Sequence, residues 1–127
     1  MERWDFTRPG RSVRLVNQDR ESVLASHIRL AGSSAERRRG LLDYRALLEG
    51  SGLWIIPCEA IHTFGMKMPI DSVFLDKGLR VTALRLTLNP WRIAICLRAH
   101  SVLELPVGTI ARSRTQVGDQ LRRFDNE

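Results

Sequence analysis

The residues of this 127-residue chain best equipped for chemistry lie between Cys58 and Asp71. Cys58, His62, Met66 and Met68 offer thiolate, imidazole and thioether groups, a soft set that suits Cu(I) or Zn(II) better than hard ions. Their spacing, Cys-x3-His-x3-Met-x-Met, converges on one ion only if the loop folds back on itself. It matches no specific ligand signature, so neither a metal site nor a cofactor is assigned. An imidazole can serve as a general base or as a ligand, so His62 is a candidate for either role. Asp71 and Glu104 are the acids that would be oriented towards it. A plainer reading competes at each position. Asp71, just past Pro69 at a strand entry, is placed to cap backbone N–H groups. Glu104, between Leu103 and Leu105, faces opposite those leucines, in water or paired with an arginine. Thr63 closes a turn. The ligand-binding candidates are therefore His62, Thr63, Met66, Asp71, Trp91 and Glu104, and no residue is assigned as catalytic.

Established motifs narrow the chemistry further. There is no P-loop, and the surroundings of Gly65 and Gly78 do not match a nucleotide-binding fingerprint. Gly-x-Ser-x-Gly is absent. The two cysteines, Cys58 and Cys96, form no CxxC pair and read as small buried hydrophobes in a reducing compartment.

The net charge is +6, and 18 of the 20 basic residues are arginine. Arginine binds phosphate and carboxylate bidentately, but so complete a bias along the whole chain reads as compositional rather than local. The charge is spread out: residues 1–50 and 51–100 each carry a net +3, and 101–127 are balanced. Polyanion-binding candidates are Arg37, Arg38 and Arg39, the one basic run, with Arg112 and Arg114. A nucleic-acid binder usually concentrates its charge on one face, so weak binding is the most this pattern announces.

The elements that position these groups are mostly short strands. Strands are expected at 12–16, 22–30, 53–56, 70–75, 79–88, 91–97, 101–105 and 119–124. Leu53–Ile56 is continuously apolar, as for a strand buried on both faces. Asp76-Lys77-Gly78 joins the clearest hairpin. The apolar phase changes between Ala83 and Leu84, which predicts a bulge there or a strand that switches partners. Ser34 is the expected N-cap of a short helix to Leu42, Asp43 of a second turn through Leu48, and Thr109 of a third through Gln116. Asp119 after Gly118 reads as a turn carboxylate. The fold class is α+β: β-rich, mostly antiparallel, a partly closed sheet or barrel with two or three short helices. The expected organisation is an N-terminal arm or first strand over 1–20, with Trp4 and Phe6 pinning its start, and a single compact domain over 21–127.

Read in order, Glu36-Arg37-Arg38-Arg39-Gly40-Leu41-Leu42, Ile61-His62-Thr63-Phe64-Gly65-Met66, Met68-Pro69-Ile70-Asp71, Val73-Phe74-Leu75-Asp76, Asn89-Pro90-Trp91, Val102 to Gly108 and Val117 to Leu121 resemble an uncharacterised prokaryotic family, the domain of unknown function 192. The resemblance covers roughly residues 25 to 124. It implies a small β-rich α+β domain and carries no established activity.

The function these observations favour is a non-catalytic small-ligand-binding or accessory module. The alternatives are a nucleic-acid-associated regulatory protein and a small hydrolase or metal-dependent enzyme. Partners would be a small molecule or a protein. No apolar run reaches the ~18 residues of a span, so no membrane partner is expected. Met1 to Asp5 show no apolar signal region, so the expected location is cytoplasmic.

Overall fold

A computed structural model describes residues 12–42 and 44–126. The arm reading of residues 1–11 lies outside the described residues. Nine strands and two short helices occur among those described: β1 (Ser12–Asn17), β2 (Ser22–Ala31), α1 (Ser34–Arg39), β3 (Ser51–Ile55), β4 (Ala60–His62), β5 (Ile70–Leu75), β6 (Val81–Leu88), β7 (Ile93–Ile95), β8 (Ser101–Leu105), α2 (Thr109–Ser113) and β9 (Leu121–Asp125).

Seven strands form one sheet in the order β6-β5-β8-β3-β2-β1-β9. All neighbours are antiparallel except β2 and β3, which run parallel across the α1 connection. The sheet curls until its outer strands approach. Arg80 bridges Gln120, and Val81 N–H donates to the Asp119 carbonyl at 2.9 Å. Such partial closure covers strand edges that would otherwise template aggregation. The β-rich, mostly antiparallel and partly closed architecture is the one expected from the sequence.

Each central strand is buried on both faces. On one face Trp54, Val73, Leu75, Leu103 and Leu105 join Val13, Leu15, Ile28, Val81 and Leu121 in a core shared by all seven strands, hence inside the curl. On the other face Leu53, Ile55, Ile70, Phe74 and Val102 pack beneath a two-stranded ribbon of β4 and β7, through Ile61 and Ala94, and against Leu41. This second layer is why Leu53-Trp54-Ile55 of β3 reads as a continuous apolar run. Gly52 permits the close β3–β8 approach: a Cβ there would lie 2.6 Å from Leu105 Cδ2 and 3.1 Å from the Glu104 carbonyl oxygen.

Several local expectations are corrected. The cap of α1 is Ser33, one residue earlier than expected. Ser33 accepts from the Glu36 N–H while Glu36 bonds back to the Ser33 N–H, a reciprocal capping box. That helix stops at Arg39, because Gly40 takes a positive φ of 48°. Residues 44–48 are not helical. The cap of α2 is Gly108 rather than Thr109, and α2 ends at Ser113, short of Gln116. Ala83 and Leu84 pair in unbroken register with Phe74 and Val73; the irregularities fall on either side, near Thr82 and near Thr87, which has φ 49°. The 91–97 segment forms only Ile93–Ile95 and leaves the main sheet to pair with β4.

Candidate functional site

The six ligand-binding candidates divide in two. Asp71 opens into the protein, not into a cleft. Its Oδ1 accepts from Thr87 N–H at 2.9 Å, and its Oδ2 accepts from Gly108 N–H at 3.1 Å and Ile110 N–H at 3.0 Å. This side chain supplies from β5 the cap that α2 lacks locally, the plainer of the two roles read for it. Thr63 is fully buried; its hydroxyl donates to the Asn89 carbonyl at 2.7 Å and accepts from Arg92 N–H at 2.8 Å. It ties the β4 end to the turn entering β7. Trp91 is exposed and stacks on Phe64, with ring centroids 5.8 Å apart.

His62, Met66 and Glu104 instead share one cavity of about 440 Å³ between α1 and the β3–β4 connection. Leu41, Ile55, Ile61 and Met66 contribute its apolar lining, and Arg37, Arg38 and Cys58 also line it. Glu104 is only 4% exposed. Its position in β8 pairs with Leu53 of β3 and Ser72 of β5, so all three side chains share the second core's face. Among the described residues it makes no hydrogen bond or ion pair. Burial alone lifts its carboxyl to about 7. The Ser72 hydroxyl beside it in the register is also buried without a partner. The expectation that Glu104 would be solvated or arginine-paired is therefore corrected. It does face away from Leu103 and Leu105, but that face is roofed by the ribbon and by the segment following α1.

His62 is exposed, and its Nδ1 accepts from Phe64 N–H at 3.3 Å. The Cys58 thiol donates to the Ala60 carbonyl at 3.0 Å, and burial pushes its pKa up. It is a protonated thiol at neutral pH, not a poised nucleophile. Met68 lies in the second core rather than with Cys58, His62 and Met66 in the cavity lining. Among the described residues no group of three His, Cys, Asp or Glu side chains is arranged to hold a metal ion.

The basic candidates do not form one cluster. Arg37 bonds the Gly32 carbonyl and Ser34 Oγ, and with exposed Arg38 lines the Glu104 cavity. Arg39 ends α1, and its side chain lies outside the described part. Arg112 donates to the Val23 and Leu24 carbonyls and pairs with Glu49 at 3.5 Å, lining a different cavity. Arg114 donates to the Arg20 carbonyl at 2.7 Å.

Asp119 belongs to neither site. Burial raises its pKa, but bonds from Arg20, Asn17 and the Gln116 N–H outweigh this and hold the carboxyl below the usual range. It is the turn carboxylate expected after Gly118. The sequence reading missed Leu41 and Ile55 as cavity walls and assigned Arg37 and Arg38 to a polyanion surface. The signal available for the site was a lone acid inside an apolar strand pattern, Leu103-Glu104-Leu105.

Residues 15–123 match the family described as Uncharacterized ACR, the domain of unknown function 192. A UPF0127 protein of Pyrococcus horikoshii is 32% identical over 116 residues, covering 87% of this chain and 98% of that protein. A UPF0127 protein of Thermococcus sibiricus is 29% identical, over 84% of this chain and 72% of its own length. Among solved structures, a Novosphingobium aromaticivorans protein of unknown function superposes with TM-score 0.75 at 21% identity, covering 87% of this chain and 83% of that one. A Sinorhizobium meliloti protein provisionally labelled a transcription regulator superposes with TM-score 0.75 at 22% identity, covering 89% and 92%. These structures share the fold.

Proposed function

Because this chain belongs to the domain of unknown function 192 family, whose relatives carry no assigned activity, we propose its function from its own cavity: it is a non-catalytic module that binds a small molecule between α1 and the β3–β4 connection. The observation that carries this reading is Glu104, a buried carboxyl without a partner on the wall of a 440 Å³ cavity. An unpaired buried acid costs stability, and a ligand N–H or O–H donor offsets that cost. Arg37 and Arg38 supply the opposite charge at the same cavity. The ligand this suits has a donor group at one end, an anionic group at the other and an apolar body between them. Pockets of this size commonly hold such molecules.

The enzyme alternative has less support. His62 and Glu104 line one cavity but share no hydrogen bond, Asp71 is committed to α2, and Cys58 is held as a thiol. For the nucleic-acid alternative, Arg112 and Arg114 are tied to backbone carbonyls. The Sinorhizobium meliloti label comes with likeness of fold alone. Weak polyanion binding through Arg38 remains compatible with the module, and two free thiols suit a cytoplasmic location.

The test is an amide chemical-shift screen of the labelled protein against apolar amino acids and dipeptides, which carry an amine and a carboxylate. Binding is expected to move the Gly40, Ile61 and Glu104 amides and to weaken in Glu104→Gln. Shifts centred on α2, or none across the screen, would refute the site.

A further inference from the structure

The β4–β7 ribbon is unusual in being apolar on both faces. Ile61 and Ala94 point into the second core. Outward stand Trp91, Ile93, Ile95 and Leu97, which are 66%, 60%, 53% and 77% exposed. The β4–β7 register makes their continuity explicit: Ile93 pairs with His62, and Ile95 with Ala60. The His62 ring lies 5.1 Å from Phe64, which stacks in turn on Trp91. The result is a continuous strip of aromatic and branched aliphatic side chains on an element that stands off the main sheet. An outward ribbon face normally carries polar residues, and an apolar patch of this kind marks an interaction surface.

The charges around the strip select its partner. Segments 58–68 and 89–99, which hold the ribbon and its flanks, contain Lys67, Arg92 and Arg98 against the single acid Glu59. Arg92 and Arg98 flank Ile93 to Leu97 in sequence; both are exposed, and neither makes an ion pair among the described residues. The strip itself offers one donor, the Trp91 indole, together with the His62 imidazole. An exposed apolar face carrying a Trp and a Phe, with arginines beside it, is a combination that seats in the headgroup layer of an anionic bilayer. No helix among the described residues is long and apolar enough to cross a membrane. Surface docking needs no span, because alternate side chains of a ribbon suffice.

We propose that the exposed face of the β4–β7 ribbon, Phe64, Trp91, Ile93, Ile95 and Leu97 with Arg92 and Arg98, docks the protein peripherally onto an anionic lipid surface. This inference does not rest on the Glu104 cavity, although His62, at the edge of the strip, also lines that cavity.

The experiment is co-sedimentation of the full chain with vesicles of phosphatidylcholine alone and of phosphatidylcholine with phosphatidylglycerol, alongside sedimentation velocity of the free protein. Binding is expected to the anionic vesicles and much less to the neutral ones. Trp91→Ser with Leu97→Ser should weaken it tenfold or more, as should Ile93→Ser with Ile95→Ser. Neutralising Arg92 and Arg98 should cost about fivefold each, whereas Arg122→Gln, exposed on β9 at the edge of the main sheet, should cost little. All these side chains are exposed, so unchanged circular dichroism and melting temperature certify the fold. The proposal is overturned by an absence of binding to anionic vesicles at low salt. It is equally overturned by binding that survives both apolar double variants. A dimer in sedimentation velocity that both double variants dissolve would reassign the strip to a second copy of the chain.

Discussion

Replacing Glu104 by Gln should change how the stability of this protein depends on pH, in a direction opposite to that of most carboxylates. The acid is 4% exposed, without a partner, and burial raises it from 4.5 to about 7. For an acid with a raised folded pKa, the unfolded chain releases its proton first as pH rises. The associated stability is intact below pH 4.5, declines between 4.5 and 7, and is lost above 7. The interval corresponds to about 3 kcal/mol, since one pKa unit is worth about 1.4 kcal/mol. Glutamine keeps the shape and never ionises. Wild type and Glu104→Gln should therefore be nearly equal at pH 4.5, and the variant should be more stable by up to about 3 kcal/mol at pH 8. That corresponds to roughly 10 °C in melting temperature for a domain of this size. Urea melts of both proteins at half-unit steps from pH 4.5 to 8.5 give the difference directly, and every other titrating group cancels. A stability difference that does not change across that range would refute the reasoning. It would mean that the carboxyl is solvated or paired, and the main argument for a ligand at Glu104 would fall with it.

Three further substitutions test the packing around the site. Asp71→Ala strands the N–H groups of Thr87, Gly108 and Ile110; a loss of about 3 kcal/mol or more is expected in urea melts, with hydrogen exchange accelerating first in α2. Asp119→Ala removes the acceptor shared by Asn17, Arg20 and the Gln116 N–H and should cost about 2–3 kcal/mol. Because the Asp119 pKa is lowered on folding, its contribution is present above the unfolded value near ~3.9 and disappears as pH falls below it, so the variant should lose the corresponding part of the acid transition. Gly52→Ala drives a Cβ into Leu105 and the Glu104 carbonyl and should cost about 1–3 kcal/mol in thermal melts, with shifts spreading to the Glu104 amide.

Local chemistry in the sequence determined most of the secondary structure. Ile70–Leu75 and Ser101–Leu105 stand where apolar patterning and flanking prolines put them. The Asp76-Lys77-Gly78 hairpin closes with Asp76 accepting from the Gly78 and Arg80 N–H groups, a short-range bond. The continuous apolar run at Leu53–Ile55 announced a strand covered on both faces, and family membership was legible from ordered motifs. Helix ends and bulges were less so. Ser33 and Ser34 are equivalent caps until the backbone chooses one, and the bulges in β6 answer to its partner β5.

The site was decided by the tertiary structure, and the reason is physical. An acid alternating with leucines reads the same whether its face meets water or a second layer, because periodicity reports direction and not what lies there. For Glu104 the answer came from the β4–β7 ribbon and the segment after α1, which bury the carboxyl and leave it without a partner among the described residues. For Asp71 it came from α2, whose N–H groups arrive from residues 108 and 110. For Arg37 and Arg38 it came from where α1 lands. Each is a question of what meets a side chain across long sequence separations, and folding decides that.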